Sequence, residues 1–406
     1  MRRRTFLHHA LGLSAGAACA VGASRVWAAS QEGPRLLLVF LRGGYDALGL
    51  LSPSTNAFYQ EVRPHIAVPA ATAATADQPG LSGAVPWSDG WHLHPLVADA
   101  LAPLISAGQL CFVPFAGTDD LSRSHFETQD SIELGQPLGG QRDFQSGFMN
   151  RLAAALPAGS GMAFTNQLPV AFRGPTPVLN TALGGGALKP LPAPMQSGLS
   201  RMYEHHPLGT QVREAFEVRR EAAMSMEDEM QASGRNAISA GGFEQEARRM
   251  ARLMRGRHAL GFVDVGGWDT HVGQGGLEGN LPSRLRQLAL GLAGFADTLG
   301  PQAWRQTTVV VISEFGRTFR ENGNRGTDHG HGTVYWVLGG GLKGLKVAGE
   351  QVAIGPQTLF QNRDLPVLND HRAVLGGLMR RQFDLSNAAL QSVFPGVTPQ
   401  DLGILA

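Results

Sequence analysis

The chain has 406 residues, 43% of them hydrophobic, which is enough to bury one large core or a core with an inserted lobe. Its 34 basic and 33 acidic residues leave a formal charge of +1. That balance gives no electrostatic footprint for nucleic acid and favours a small or neutral partner. Two cysteines, Cys19 and Cys111, exclude a disulfide framework.

The chain opens Arg2-Arg3-Arg4-Thr5-Phe6-Leu7, continues as a Gly/Ala-rich apolar run from Ala10 to Val21, and reaches small residues at Val26-Trp27-Ala28. A paired arginine followed by Phe-Leu, a short weakly apolar core and a small-residue cleavage point make residues 1–29 a twin-arginine signal peptide, cut after Ala28 or Ala29. The run is short for a bilayer span, so no stable membrane anchor is expected. Gly16 stands where a lipid-attachment site at Cys19 would call for a Leu-like side chain, which argues against lipidation. The mature protein is then expected in the periplasm or secreted, after handling by the twin-arginine translocation machinery, with Cys111 as its one thiol.

Beyond the leader, short apolar or β-branched runs predict strands over Leu36–Leu41, Gln109–Phe115, Ala259–Val265, Thr307–Ser313 and Thr333–Leu338. Ala, Pro, Gly and Thr dominate residues 66–90 and 174–200, which read as long loops on a rim or lid. A helical segment is expected near 205–257, where Phe243, Ala247, Met250 and Met254 share one face. Core packing explains that face better than a Met-lined ligand groove does. Leu285, Leu288, Leu292, Phe295 and Leu299 keep helical spacing within Leu281–Leu299 and would cover a sheet. Strands alternating with helices over residues 30–406 predict a single α/β domain, a doubly wound, mostly parallel sheet with helices on both faces.

Polar clusters recur at the strand ends, where sites form in open parallel sheets. They read Arg42-Gly43-Gly44-Tyr45-Asp46, Asp119-Asp120-Leu121-Ser122-Arg123-Ser124-His125, Gly266-Gly267-Trp268-Asp269-Thr270-His271 and Ser313-Glu314-Phe315-Gly316-Arg317, while Thr327-Asp328-His329-Gly330-His331-Gly332 leads into the last strand. Asp269 and His271 are two apart, as are His329 and His331, so in extended backbone each pair leaves one face and could grip one ion. Mixed carboxylate and imidazole donors suit zinc or manganese rather than calcium. The candidate ligands are Asp46, Asp269, His271, Glu314, Asp328, His329 and His331, for one or two divalent ions.

Arg42-Gly43-Gly44-Tyr45-Asp46, Ser122-Arg123-Ser124-His125-Phe126, Gly267-Trp268-Asp269-Thr270-His271, Ser313-Glu314-Phe315-Gly316-Arg317-Thr318 and Thr327-Asp328-His329-Gly330-His331-Gly332 resemble, in order, the signature blocks of a twin-arginine-exported family known as a domain of unknown function of type 1501, grouped with the alkaline phosphatase and sulfatase superfamily. The resemblance implies an alkaline phosphatase-like sheet with a metal site, and no particular substrate. It further implies that Asp46 binds metal, that Ser124 (or Ser122) is the candidate nucleophile, that Asp269 and His271 form a ligand pair, and that His331 or His329 supplies the late histidine. Two departures stand out: Glu314-Phe315 replaces the superfamily's Asp-His, and the Asp269–His271 spacing is shorter than its usual pair.

These readings support a metal-dependent hydrolase of phosphate or sulfate esters, small or polymeric. Ser124 or a water would be the nucleophile, and Arg123 and Arg317 would neutralise the anionic oxygens. Each assignment has a plainer counterpart. Ser124 with Glu127 three residues on fits a capping box, and the arginines could simply pair with Asp120 and Glu321. The alternative of a different class is a non-catalytic, metal-stabilised binding protein for a secreted polymer or surface component. A phosphate-transferring mutase fits less well, since such enzymes serve cytoplasmic metabolism.

Overall fold

The structure, a computed structural model, describes residues 33–71, 83–157, 159–182, 237–256 and 258–406. The expected leader and residues 205–236 of the expected helical segment lie outside them. The main sheet has nine strands: β1 (Arg35–Leu41), β2 (Leu110–Gly117), β3 (Gly161–Ala163), β4 (Leu179–Asn180), β5 (Ile238–Ser239), β6 (Leu260–Gly266), β7 (Thr307–Ser313), β8 (Thr333–Gly339) and β9 (Asn369–Asp370). Their order is β9-β2-β8-β7-β1-β6-β3-β4, with β5 beside β6. Each of the five runs predicted as strands is a strand. The short strands β3, β4, β5 and β9, and a small sheet of Leu51–Ser52, Val85–Ser88 and Trp91–Leu93, carry too few residues to declare themselves by pattern.

β1 is buried along its whole length, and its alternation divides the core. Leu37, Val39 and Leu41 face helices α3 (Phe243–Met254) and α4 (Asn280–Leu299), meeting Met250, Leu285 and Leu288 in one cluster. Leu36, Leu38 and Phe40 face the other way, into a cluster with Met149 and Leu152 of α2 (Phe148–Ala154) and Val374 and Leu378 of α5 (His371–Phe383). Each such side chain contributes about 1.5–3 kcal/mol by leaving water, so the two faces together hold the sheet without a covalent brace. Met250 and Met254 are completely buried in this core. The close approach of α3 and α4 depends on Gly291, where a Cβ would lie 2.3 Å from the Phe243 ring.

Register places the site. Leu41 of β1 pairs in parallel with Ser313 of β7 and with Val265 of β6, so three strands end level and the segments after them leave from one rim. β8 runs antiparallel to both neighbours, with Thr333 opposite Ala116 near the end of β2. The Thr327–Gly332 segment precedes β8 rather than following it, yet the reversed strand brings it to the same rim.

Candidate metal centre

After β2 the chain descends through Ser124, whose Oγ accepts from Glu127 N at 3.5 Å and caps α1 (His125–Leu134). His125 is therefore the first residue of a helix and points back into the rim, almost fully buried. After β6, Gly267 turns the chain (φ +90°) and presents Asp269 and His271. After β7, Gly316 and Gly330 let the Arg317 and His329 segments lie backbone to backbone. A Cβ at Gly316 would stand 2.0 Å from the Gly332 oxygen, and one at Gly330 2.4 Å from the Arg317 carbonyl carbon.

Three imidazoles meet there. His329 Nε2 lies 3.0 Å from His125 Nε2 and 3.1 Å from His271 Nε2. Asp269 adjoins all three: Oδ1 is 2.9 Å from His271 Nε2 and 3.4 Å from His329 Nε2, and Oδ2 is 3.5 Å from His125 Nε2. Behind each ring stands an acceptor on Nδ1: a Glu314 oxygen at 2.8 Å for His125, Asp328 Oδ1 at 3.2 Å for His271, and the Arg123 carbonyl at 2.9 Å for His329. An acceptor there places a proton on Nδ1 of each ring, so Nε2 is the nitrogen turned toward its neighbours.

That arrangement fits a cation. Three Nε2 atoms and a carboxylate converge, and the buried Asp269 Oδ2 has nothing nearer than His125 Nε2 at 3.5 Å among the polar contacts of the described residues. His125, Asp269 and His329 lie close enough to offer one atom each to a single ion, with His271 at their edge. The donor set of imidazoles and a carboxylate suits zinc or manganese. Access is from one side, since the side chains of His271 and His329 are 16% and 18% exposed while those of His125 and Asp269 are each 2% exposed.

Electrostatics follow from the packing. Burial would raise the Asp269 carboxyl, but hydrogen bonds from the three histidines and the Arg317 charge hold it far below the usual range. Burial likewise opposes ionisation of Glu314, yet bonds from His125 and Gln129 bring it down to about 2. Burial would depress His125, and its bonds to Asp269 and Glu314 overcome that and raise it to about 9.

The other expected site residues are placed elsewhere. Asp46 is nearly fully buried in a bidentate pair with Arg63, at 2.6 and 3.1 Å, with Gln274 on the same carboxylate at 2.6 Å, and does not join the cluster. Glu314 sits behind His125, accepting also from Gly43 N at 2.8 Å and Gln129 Nε2 at 2.9 Å, as a holder of the ring. Asp328 holds His271 in the same way. His331 turns to the Phe360 ring, 4.9 Å away, and burial with Arg123 nearby lowers it to about 4. Its divergence from His329 reflects a bridge and turn where spacing by two presumes a strand. Arg317 is committed to Asp269 and to the carbonyls of Gly43, Gly44, Trp268 and Thr327. Arg123 pairs with Asp364 at 2.8 Å rather than with Asp120, and Glu321 holds His65 at 2.6 Å rather than Arg317. His125 stands in the cluster although the sequence marks the serine beside it, as nucleophile or cap, more plainly than the histidine.

Fold and site together define an α/β protein with a histidine and carboxylate centre at the carboxyl rim of its sheet. Residues 34–394 match the family described as "Protein of unknown function (DUF1501)", and the chain belongs to that family. No curated protein matches it. Among solved structures it is similar to a protein in the alkaline phosphatase superfamily from Vibrio parahaemolyticus, with 10% identity and a TM-score of 0.35 over 76% of this chain and 61% of that one. It is also similar to Ps i-CgsB in complex with k-i-k-neocarrahexaose, with 9% identity and a TM-score of 0.36 over 76% of this chain and 66% of that one. The chain thus spans under two thirds of the length of either, and no conclusion about activity rests on likeness at this level. Among the described residues no helix is long and apolar enough to cross a membrane.

Proposed function

We propose that this chain is an exported, metal-dependent hydrolase of phosphate or sulfate esters, its ion held by His125, Asp269 and His329 with His271 alongside. The observation that carries the reading is the convergence of three Nε2 atoms, each ring fixed by an acceptor on its Nδ1, on the buried Asp269 carboxylate, two of them beside Oδ1 and one beside Oδ2. Export rests on Arg3-Arg4-x-Phe6-Leu7 and the short apolar run after it. A divalent ion bound here supplies a Lewis acid for an ester oxygen and makes water a nucleophile at neutral pH.

The protein's own groups do the holding. Glu314, Asp328 and the Arg123 carbonyl hold the three rings through Nδ1, Arg317 pins Asp269 through Oδ1 and leaves Oδ2 turned to His125, and the buried side excludes water. Ser124 serves as a helix cap in this reading and not as the nucleophile. The alternative, a metal-stabilised binding protein without catalysis, draws support from the same commitments: Ser124, Arg123 and Arg317 all have protein partners already.

Elemental analysis of mature protein kept from chelators is expected to find about one zinc or manganese per chain. A panel of phosphomonoester, phosphodiester and sulfate ester substrates, run on the wild type and on His125→Ala, separates the two readings. Turnover lost in the variant supports the hydrolase. Bound metal with no turnover on any ester favours the binding protein, and absence of transition metal removes both.

A further inference from the structure

Helix α1 buries an unusual stripe. His125, Gln129 and Glu133 stand four apart along one face, and all three are buried where a sheet-covering helix ordinarily places apolar side chains. Arg42, at the carboxyl end of β1, reaches them: Nη1 donates to Gln129 Oε1 and to Glu133 Oε1, each at 2.9 Å, and Nε donates to Asp264 Oδ2 at 2.7 Å. Gln129 passes the contact on, donating from Nε2 to Glu314 Oε1 at 2.9 Å, the oxygen that faces His125 Nδ1. The amide is fixed at both ends. Its oxygen must face the guanidinium, so its NH2 must face the carboxylate.

We propose that Gln129, oriented by Arg42, is a positioning residue for the metal centre: it fixes the Glu314 oxygen against His125 Nδ1 and so sets the ion affinity from two side chains away. This rests on the reading of the site as a metal centre. Gly43 N, His125 Nδ1 and Gln129 Nε2 share one Glu314 oxygen while Ser313 Oγ donates to the other, and removing the Gln129 donor loosens the carboxylate against the imidazole. Outer partners of this kind orient the ligand and raise its basicity, and their loss typically costs about 10–100-fold in metal affinity.

Gln129→Glu sets a second carboxylate against Glu314 and abolishes the donor. Competition with a chelator is expected to show the Kd for Zn2+ rising about 10–100-fold. The Nδ1–H resonance of His125, slowly exchanging in the wild type, is expected to exchange faster in Gln129→Glu. Gln129→Met, which removes the bond without adding charge, repeats the test should the glutamate variant not fold. Zn2+ affinity and Nδ1–H exchange both unchanged in the Gln129 variants overturn the positioning role and leave the metal centre standing. A wild type that takes up neither Zn2+ nor Mn2+ overturns both.

Discussion

Asp46 and Asp269 invite comparison. Each follows a glycine-rich turn after a central strand, each is almost wholly buried, and the sequence offers both as ligands. Asp46 meets a permanent cation in Arg63, an amide from Gln274 and the Leu48 N–H, so its lone pairs are matched by donors that cannot leave. Asp269 has Arg317 on Oδ1 with the His271 and His329 Nε2 atoms beside that same oxygen, and only His125 Nε2, at 3.5 Å, beside Oδ2, while each ring turns its Nδ1 to an acceptor on its far side. A buried carboxylate is read as structural or as a ligand by what surrounds it: fixed donors close the first, and opposed acceptors leave the second open to a cation.

The contrast can be broken by substitution. Asp269→Asn is expected to have the largest effect on metal, reducing retained zinc or manganese after dialysis to trace levels by elemental analysis. Retention at wild-type stoichiometry would remove Asp269 from the centre. Arg63→Met, which strands the Asp46 charge, should lower stability by about 3–5 kcal/mol in denaturant unfolding while leaving metal content unchanged. Loss of metal in that variant would return Asp46 to the ligand set. Ser124→Ala should lower stability by about 1 kcal/mol through the lost cap, with any ester turnover retained. Turnover abolished in a folded variant would restore the serine as nucleophile. The smallest effect concerns Cys111, whose thiol is pushed up to about 12 by burial. The thiolate is the reactive form and is scarce below that value, so native protein at pH 8 is expected to resist a thiol-reactive disulfide that labels it in denaturant.

Much of the scaffold was legible because burial on both faces writes long apolar runs: the five strands that fix the rim, and the α4 spacing from Leu285 to Leu299. Asp269, His271 and His329 were legible as residue types at strand ends. The partners that decide each role were not, since Arg63 with Asp46, Gln274 with Asp46 and Arg123 with Asp364 join segments that sequence order does not relate. His125 could have been found. A capped helix whose buried face carries His125, Gln129 and Glu133 in place of leucines announces a polar task, and the nearby serine masked it. His331 misled for the opposite reason: the Gly330 amide bonds to the Gly316 carbonyl, and the backbone turns before the pair can share a face.

The reversed direction of β8 has a practical consequence. Its exit, near Gly339, pairs beside Thr308 at the start of β7, on the back of the sheet from the imidazoles. The exposed segment around Gly344 is therefore a place to graft a fluorophore or affinity tag that leaves the rim carrying Asp269 and His329 undisturbed. The same insertion between Gly326 and Gly332 would land beside His329, within the histidine cluster.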